Sequence, residues 1–414
     1  MSEDRRPASH YDVAVIGAGP AGTTTAALLE ASGLDVAIFE RSRFPRFSIG
    51  ESLLPACSDV LREAGLFALV EAQGYQVKTG AVFVRGEERC EFDFAQQFGD
   101  GATWTWQVPR AEFDAVLADG VRERGVPIFF EHTVTEVEVG DSPRLTVQAE
   151  NGTCDAVSAR FIVDASGAAR ILPRLLELEE PSDQPVRKAM FTHVRGDRRP
   201  QGPNSGRIVV VIHRQDVWIW IIPFSDGRTS LGVVAPPEWF ESFPADPTAR
   251  LRAAIHADPA THQRLADTEF LFEPRSTIGY STSAKQLFGE GYCLVGNAGE
   301  FLDPVFSSGV TLALVCASRA SDAIVRQLAG ETVDWQADYS DYMGRGVDTF
   351  RTFVNAWYDG SFHEVCFARP SNEKLKAMIC AALAGYVWNL ENPFVREHKR
   401  KLNQLLRVIR ATGS

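Results

Sequence analysis

The 414-residue chain is short of several features that would place a protein at once, and each shortage removes a class. No apolar run reaches the ~18 residues needed to span a bilayer, so no membrane span is expected. With 42 Lys and Arg against 54 Asp and Glu, the formal charge is −12. A chain this acidic has no basic footprint for a phosphate backbone, which argues against a nucleic-acid partner. The cysteines, Cys57, Cys90, Cys154, Cys293, Cys316, Cys366 and Cys380, are odd in number, scattered, and never form C-x-x-C. That pattern excludes a disulfide frame and fits reduced thiols in the cytoplasm. The eight histidines do not cluster at ligand spacing, so no metal site is expected. The polar opening "MSEDRRPASHYD" leads straight into a strand and does not read as a secretory signal. Internal repeats and low-complexity tracts are also missing.

What the chain has is enough apolar residue, 45%, for a large core in two domains or one elaborate one. Its most specific local signal is "YDVAVIGAGPAGTTTAALLEASGLDVAIFE" (11–40). Val13 to Ile16 read as a buried parallel strand, and a helix follows the turn built by Gly17, Gly19, Pro20, Ala21 and Gly22. A second strand ends on Glu40, at about the 20-residue spacing of the acid in a dinucleotide fingerprint. Gly17 permits the tight turn, Gly19 lets backbone approach a pyrophosphate, and Gly22 lets helix and strand pack closely. The helix start then faces phosphate charge, while Glu40 accepts from ribose hydroxyls and Arg41 follows it. This setting does not by itself separate FAD from NAD. No second G-x-G-x-x-G lies downstream, so a nicotinamide domain is not expected.

Five other stretches carry candidates. In "VWIWIIPF" (217–224) strand alternation puts Trp218 and Trp220 on one face and Ile219 and Ile221 on the other, with Pro223 closing the strand. Spacing alone leaves sheet packing and a functional wall both open. Lys78, in "GYQVKTGAVF" (74–83), reads either as a buried amine with a lowered pKa or as a snorkelling surface lysine. "SSGVTLALVCASRASDAIV" predicts a helix whose first amides, near Ser308 and Gly309, favour an anion. The stretch 334–365 predicts a helix with an aromatic stripe of Phe350, Phe353, Trp357 and Tyr358, read as core or as pocket lining. A last amphipathic helix over 396–410 places Leu402, Leu405, Leu406 and Ile409 on one side and basic residues on the other, either solvated or docking an acidic carrier protein.

"RFIVDASGAARIL" (160–172) and "YCLVGNAGEFLDPVFSSGV" (292–310) resemble FAD-contact segments of the flavoprotein monooxygenase family with the p-hydroxybenzoate hydroxylase fold. The resemblance implies an α/β fold: a Rossmann-type FAD-binding domain interleaved with a mixed β-sheet substrate domain, then a helical C-terminal segment. The implied boundaries are 8–75, 105–185 and 280–335 for the FAD domain, 76–104 and 186–279 for the substrate sheet, and 336–414 for the helical segment. It also implies cofactor contacts at Asp164, Ala165, Asn297, Asp303, Gly309 and Val310. "QVPRAEFDAVL" adds Arg110, and "FPRFSIGESLLP" adds Arg46 and Ser52. Asn297 stands where the family usually has aspartate; an amide still bonds a ribityl hydroxyl.

Trp218-Ile219-Trp220-Ile221-Ile222-Pro223 further resembles the W-x-W-x-I-P signature of flavin-dependent halogenases. In that family the two indoles separate flavin from substrate, so that chloride or bromide meets the oxidant first and hypohalous acid forms. The resemblance makes Lys78, Trp218, Trp220 and Ser307 catalytic and gives Ser308 and Gly309 the halide. Phe306 occupies the place of a glutamate found in tryptophan halogenases, which points to the phenol and pyrrole branch, with free or carrier-bound substrates. A separate flavin reductase is implied as partner. A hydroxylase or dehydrogenase of the same fold, and a flavin-binding protein without catalysis, remain as alternatives.

Overall fold

The computed structural model describes residues 6–182, 184–369 and 372–412. Its first sheet grows from the apolar run at the start of the chain. His10–Ile16 lies parallel between Val36–Glu40 and Cys154–Asp164, and Ile128–Phe130 and Tyr292–Leu294 extend the sheet on either side. Strands buried on both faces read as continuous apolar runs, as "VAVI" and "FIV" do. The helix Pro20–Ala31 covers one face and packs against the long helix Ser308–Leu328. The carboxyl ends of three parallel strands therefore converge on the glycine turn, which is where open α/β sheets hold ligands.

The second sheet runs in the order Glu269–Phe270, Lys188–Arg195, Thr229–Ala235, Val217–Pro223, Ile208–Arg214, Gly80–Arg85, Glu88–Asp93. Its pairings are antiparallel except that Ile208–Arg214 runs parallel to Gly80–Arg85, so the sheet is mixed. The chain crosses between the two sheets repeatedly, which makes the architecture interleaved.

All seven residues of Val217–Pro223 are buried, and the alternation holds. Trp218, Trp220 and Ile222 face the main core with the C-terminal helices, whereas Val217, Ile219 and Ile221 face a separate cluster closed by Leu251, Ala254 and Ile255 of the helix Pro247–His256. Pro223 ends the strand opposite Thr229, where its missing amide costs least. Trp220 lies in register with Gly232 on the neighbouring strand, and its ring covers the bare Cα so closely that a Cβ there would collide with it. Gly232→Ala is therefore expected to destabilise the fold by about 1–3 kcal/mol. Urea melts followed by tryptophan fluorescence check this, and an unchanged midpoint would mean that the indole moves aside freely.

The C-terminal region corrects one sequence expectation. The helix over 334–365 is not continuous: a π-helical turn, Gln336–Ser340, leads into Asp341–Tyr358, and a new helix, Ser361–Phe367, follows. Gly360 separates them with φ of 84°, a left-handed conformation that suits glycine and stops a helix. Phe350, Phe353 and Trp357 are core, and Tyr358 sits at the helix end. The final helix, His398–Thr412, buries Leu402, Leu406 and Ile409. Ser308–Leu328 is long and apolar enough to cross a membrane by length and composition, but 67% of its most apolar 18-residue stretch is buried inside the fold, as befits a core helix. All seven cysteines are free, and only Cys154 is exposed.

Candidate active site

The glycine turn is shaped as its sequence dictates. Gly17 takes φ of 98°, and a Cβ on it would lie 2.7 Å from the carbonyl oxygen of Ala165. Gly22 admits no side chain either, because the carbonyl of Gly17 fills the space. The helix Pro20–Ala31 starts at Gly19 with proline in its first turn and no side-chain cap, which leaves early amides for an anion. Glu40 is buried and accepts from the amides of Ala18 and Ser42, each at 2.9 Å. The acid thus holds the turn from below. Arg46 reaches to 3.6 Å from the point where a Gly19 Cβ would sit, placing a cation over the turn. Arg41 is exposed.

One residue that the sequence did not flag organises this end. Asp114, fully buried, binds Arg110 through both carboxylate oxygens at 2.7 and 3.1 Å and Arg46 at 3.2 Å. Its position four residues after Arg110 on one helix is the signal that could have revealed it. Arg110 also donates to the carbonyl of Ile49 at 2.7 Å, so it fixes the loop that leads into Glu51 and Ser52. Asp164 spends its oxygens on the amides of Ser166 and Leu172, at 2.8 and 2.7 Å, and burial raises its pKa. It holds the turn at Ala165. Asn297 is half-buried just after Gly296, whose missing side chain lets the turn approach Ala313 and Ala21.

A second group of polar atoms lies deeper. The loop residues Ser52 and Leu53 pair with Gln107 and Trp106 of the strand Thr105–Gln107. Glu51 Oε1 bonds His193 Nε2 at 2.8 Å, a link across 142 positions that no local pattern encodes. Glu51 Oε2, Ser52 Oγ and Gln107 Oε1 are buried without a hydrogen-bond partner among the described residues. Buried polar atoms are nearly always paired, so orphaned ones beside the loop that Arg110 fixes suit a polar, planar group. The uncapped helix, the side-chain-free turn, Arg46 and these orphans together fit FAD.

Lys78 is buried at 1% exposure, while its neighbour Val77 is 44% exposed. The strand Gln76–Lys78 pairs with Thr105–Gln107 and turns the lysine inward. Its Nζ donates to the carbonyl of Leu53 at 2.7 Å, and desolvation by burial pushes its pKa down to about 7. The thiol of Cys57, pushed upward by its own burial, lies close enough to influence the amine and sits 3.1 Å from Thr311 Oγ1 in the long helix. Snorkelling is therefore excluded.

The long helix begins at Ser308 after Ser307, which is left-handed at φ of 58°, and no side chain caps it. Ser308 and Val310 are buried, and Gly309 passes close to the ring of Phe301. Phe306 packs edge-on against Phe353, Trp357 and Phe362. Asp303, just upstream, is buried and accepts from Tyr358 Oη at 2.7 Å, Tyr280 Oη at 3.1 Å and the amide of Val305 at 3.0 Å. Burial raises its pKa. Trp218 Nε1 donates to Tyr358 Oη at 3.1 Å, and Trp220 Nε1 to Ser230 Oγ at 3.1 Å. Both indoles are thus held at the ring and at the nitrogen.

Comparison with known proteins agrees with this geometry. Residues 10–341 match the family described as FAD binding domain. The chain is 31% identical over 339 residues to a 1H-pyrrole-2-carbonyl-(peptidyl-carrier protein) brominase of Pseudoalteromonas luteoviolacea, covering 80% of this chain and 81% of that one. It is 28% identical over 375 residues to the corresponding chlorinase of Pseudomonas fluorescens, covering 84% and 83%. Among solved structures, a flavoprotein/dehydrogenase from Cytophaga hutchinsonii superposes with a TM-score of 0.95 at 47% identity, covering 98% of this chain and 100% of that one. The flavin-dependent brominase Bmp2 gives 0.82 at 29%, covering 95% and 98%. With a FAD-binding domain over most of its length and these relatives, the chain belongs to the family of flavin-dependent halogenases.

Proposed function

We propose that this protein halogenates an electron-rich aromatic ring, a phenol or a pyrrole, presented free or on a carrier protein, and draws reduced FAD from a separate reductase. The observation that carries the reading is Lys78: a buried amine with a pKa lowered to about 7, set beside Phe94 and Cys57, which belong to the same core cluster as Trp218 and Trp220. Such an amine is partly neutral at working pH and can hold hypohalous acid by a hydrogen bond or as a haloamine. Bound reduced FAD with oxygen would supply the oxidation of halide to hypohalous acid.

The chain's residues divide the remaining work. Gly17, Gly19, Gly22, Arg46 and the amides after Gly19 would hold the pyrophosphate, and Ser52 and Asn297 would meet the rest of the cofactor. The amides at Ser308 and Gly309 would receive the halide at the uncapped helix start. Trp218 and Trp220 would keep the ring away from the oxidant, leaving Lys78 to present the halogen. Phe306 puts an apolar edge where a carboxylate would be needed to assist a less reactive ring.

The dehydrogenase description of the Cytophaga relative favours a second reading, oxidation without halogen transfer. One experiment separates the two. With bromide and a flavin reductase, mass spectrometry of phenols, pyrroles and carrier-bound pyrrolyl groups is expected to show bromine incorporation, while NADPH alone reduces the bound flavin slowly in stopped flow. Rapid bleaching by NADPH without reductase, with no brominated product, would establish the second reading.

A further inference from the structure

The end of the helix Asp341–Tyr358 touches both parts of the site at once. Tyr358 has a single hydroxyl proton, and Asp303 Oδ2 takes it at 2.7 Å. Its oxygen is then left to accept from Trp218 Nε1 at 3.1 Å. Asp303 uses its other oxygen to receive the amide of Val305 at 3.0 Å, and so caps the short turn Pro304–Phe306. That turn delivers Ser307 and the start of the long helix. An apolar path runs beside the polar one: Trp357 meets the ring of Trp218 at 6.4 Å and that of Phe306 at 5.9 Å, both nearly perpendicular. The guanidinium of Arg187 lies 4.1 Å from the centre of the Tyr358 ring and steadies it from outside. Tyr280 Oη supplies Asp303 with a second phenol donor at 3.1 Å.

We infer that Tyr358 and Asp303 are positioning residues that lock the indole wall to the anion-receiving loop, so that the oxidant's side of the wall and the halide move as one rigid unit. The inference rests on the halogenase reading and adds a bracket supplied by the helical C-terminal segment. One carboxyl acceptor, two phenol donors and one indole donor satisfy one another, and both oxygens of Asp303 are engaged. Removing the Tyr358 oxygen breaks the link at its middle while keeping the ring, its packing and the Arg187 contact. Removing the Tyr280 oxygen takes a donor from Asp303 but leaves Trp218 anchored.

The test compares wild type, Tyr358→Phe and Tyr280→Phe as FAD-loaded enzyme supplied with a flavin reductase, a phenol or pyrrole acceptor and bromide. Halogenated product per oxygen consumed, the bromide KM, FAD affinity and the indole N–H proton resonance of Trp218 are measured, the last assigned with Trp218→Phe. For Tyr358→Phe we expect the bromide KM to rise about fivefold and halogenated product per oxygen to fall about threefold as peroxide rises, with FAD affinity held within about twofold. Its Trp218 N–H resonance should shift upfield. Tyr280→Phe should raise the bromide KM and leave both the resonance and the product per oxygen near wild type. The inference is overturned if Tyr358→Phe keeps the wild-type bromide KM and product ratio, or if the two variants lose product per oxygen alike. A wild type that brominates no acceptor overturns it through the reading beneath it. The Trp218 resonance, which needs no turnover, then still reports whether the anchor exists.

Discussion

Lys78→Ala is expected to abolish carbon–halogen bond formation, by about 10²-fold or more, while oxygen-dependent oxidation of the flavin continues. On the proposed reading, reduced FAD with oxygen would oxidise halide before the lysine is reached, so the two rates should separate. The amine is set apart by burial: one proton is committed to the carbonyl of Leu53, with the ring of Phe94 at 5.5 Å and the thiol of Cys57 nearby. Lys78→Arg should fail as well, because a guanidinium stays charged and offers no neutral nitrogen. Parallel traces of flavin reoxidation and halogenated product decide the matter. Halogenation at the wild-type rate by Lys78→Ala would reduce the lysine to a structural donor.

The same lysine gives a stability signature independent of turnover. Its folded pKa of about 7 lies below an unfolded value near 10.4, so between those limits the native state binds fewer protons than the unfolded chain. Stability contributed by this group therefore rises as pH increases from about 7 toward 10, by at most roughly 1.4 kcal/mol per unit. Lys78→Met should remove that slope and stabilise the fold at pH 7. Urea midpoints at pH 7 and 9 report it, and parallel slopes in wild type and variant would mean that the amine is not depressed.

Trp220→Ala carries the second large effect, on product rather than rate. Without the indole the acceptor ring gains access to the oxidant's side, and products should shift toward hydroxylation, with peroxide released. Truncating a buried indole costs about 3–5 kcal/mol of stability, and here it also strands Ser230 Oγ and uncovers Gly232. Trp220→Phe keeps much of the volume and should keep most of the halogenated product. An unchanged halogenated yield from Trp220→Ala together with a large melt shift would assign the tryptophans to packing.

How far the sequence could be read depended on whether a feature is local. The strand-turn-helix around Gly17 to Gly22 and the facing of Trp218 against Ile219 are set by periods of two and by turn chemistry, and both were visible in one dimension. Lys78 was ambiguous, because a three-residue strand that exposes valine and buries lysine reverses the usual preference. The break at Gly360 was hidden in a stretch whose apolar spacing suited an unbroken helix. Glu51 with His193, and Asp303 with Tyr358, were not legible at all, since each joins a loop residue to a distant strand or helix and no spacing rule connects them.

The bond from Trp218 to Tyr358 spans 140 positions, and this distance along the chain orders the making of the site in time. During synthesis, the sheet bearing the indoles and the glycine turn leave the ribosome well before the helix that braces them. Non-local contacts of this kind form late, after the loop between them has been closed. A nascent chain can therefore acquire its nucleotide crevice while the aromatic chamber still stands open. On the proposed function, only when the closing helix docks would the protein become able to confine a corrosive oxidant, so competence to contain the reagent would be among the last properties that folding confers.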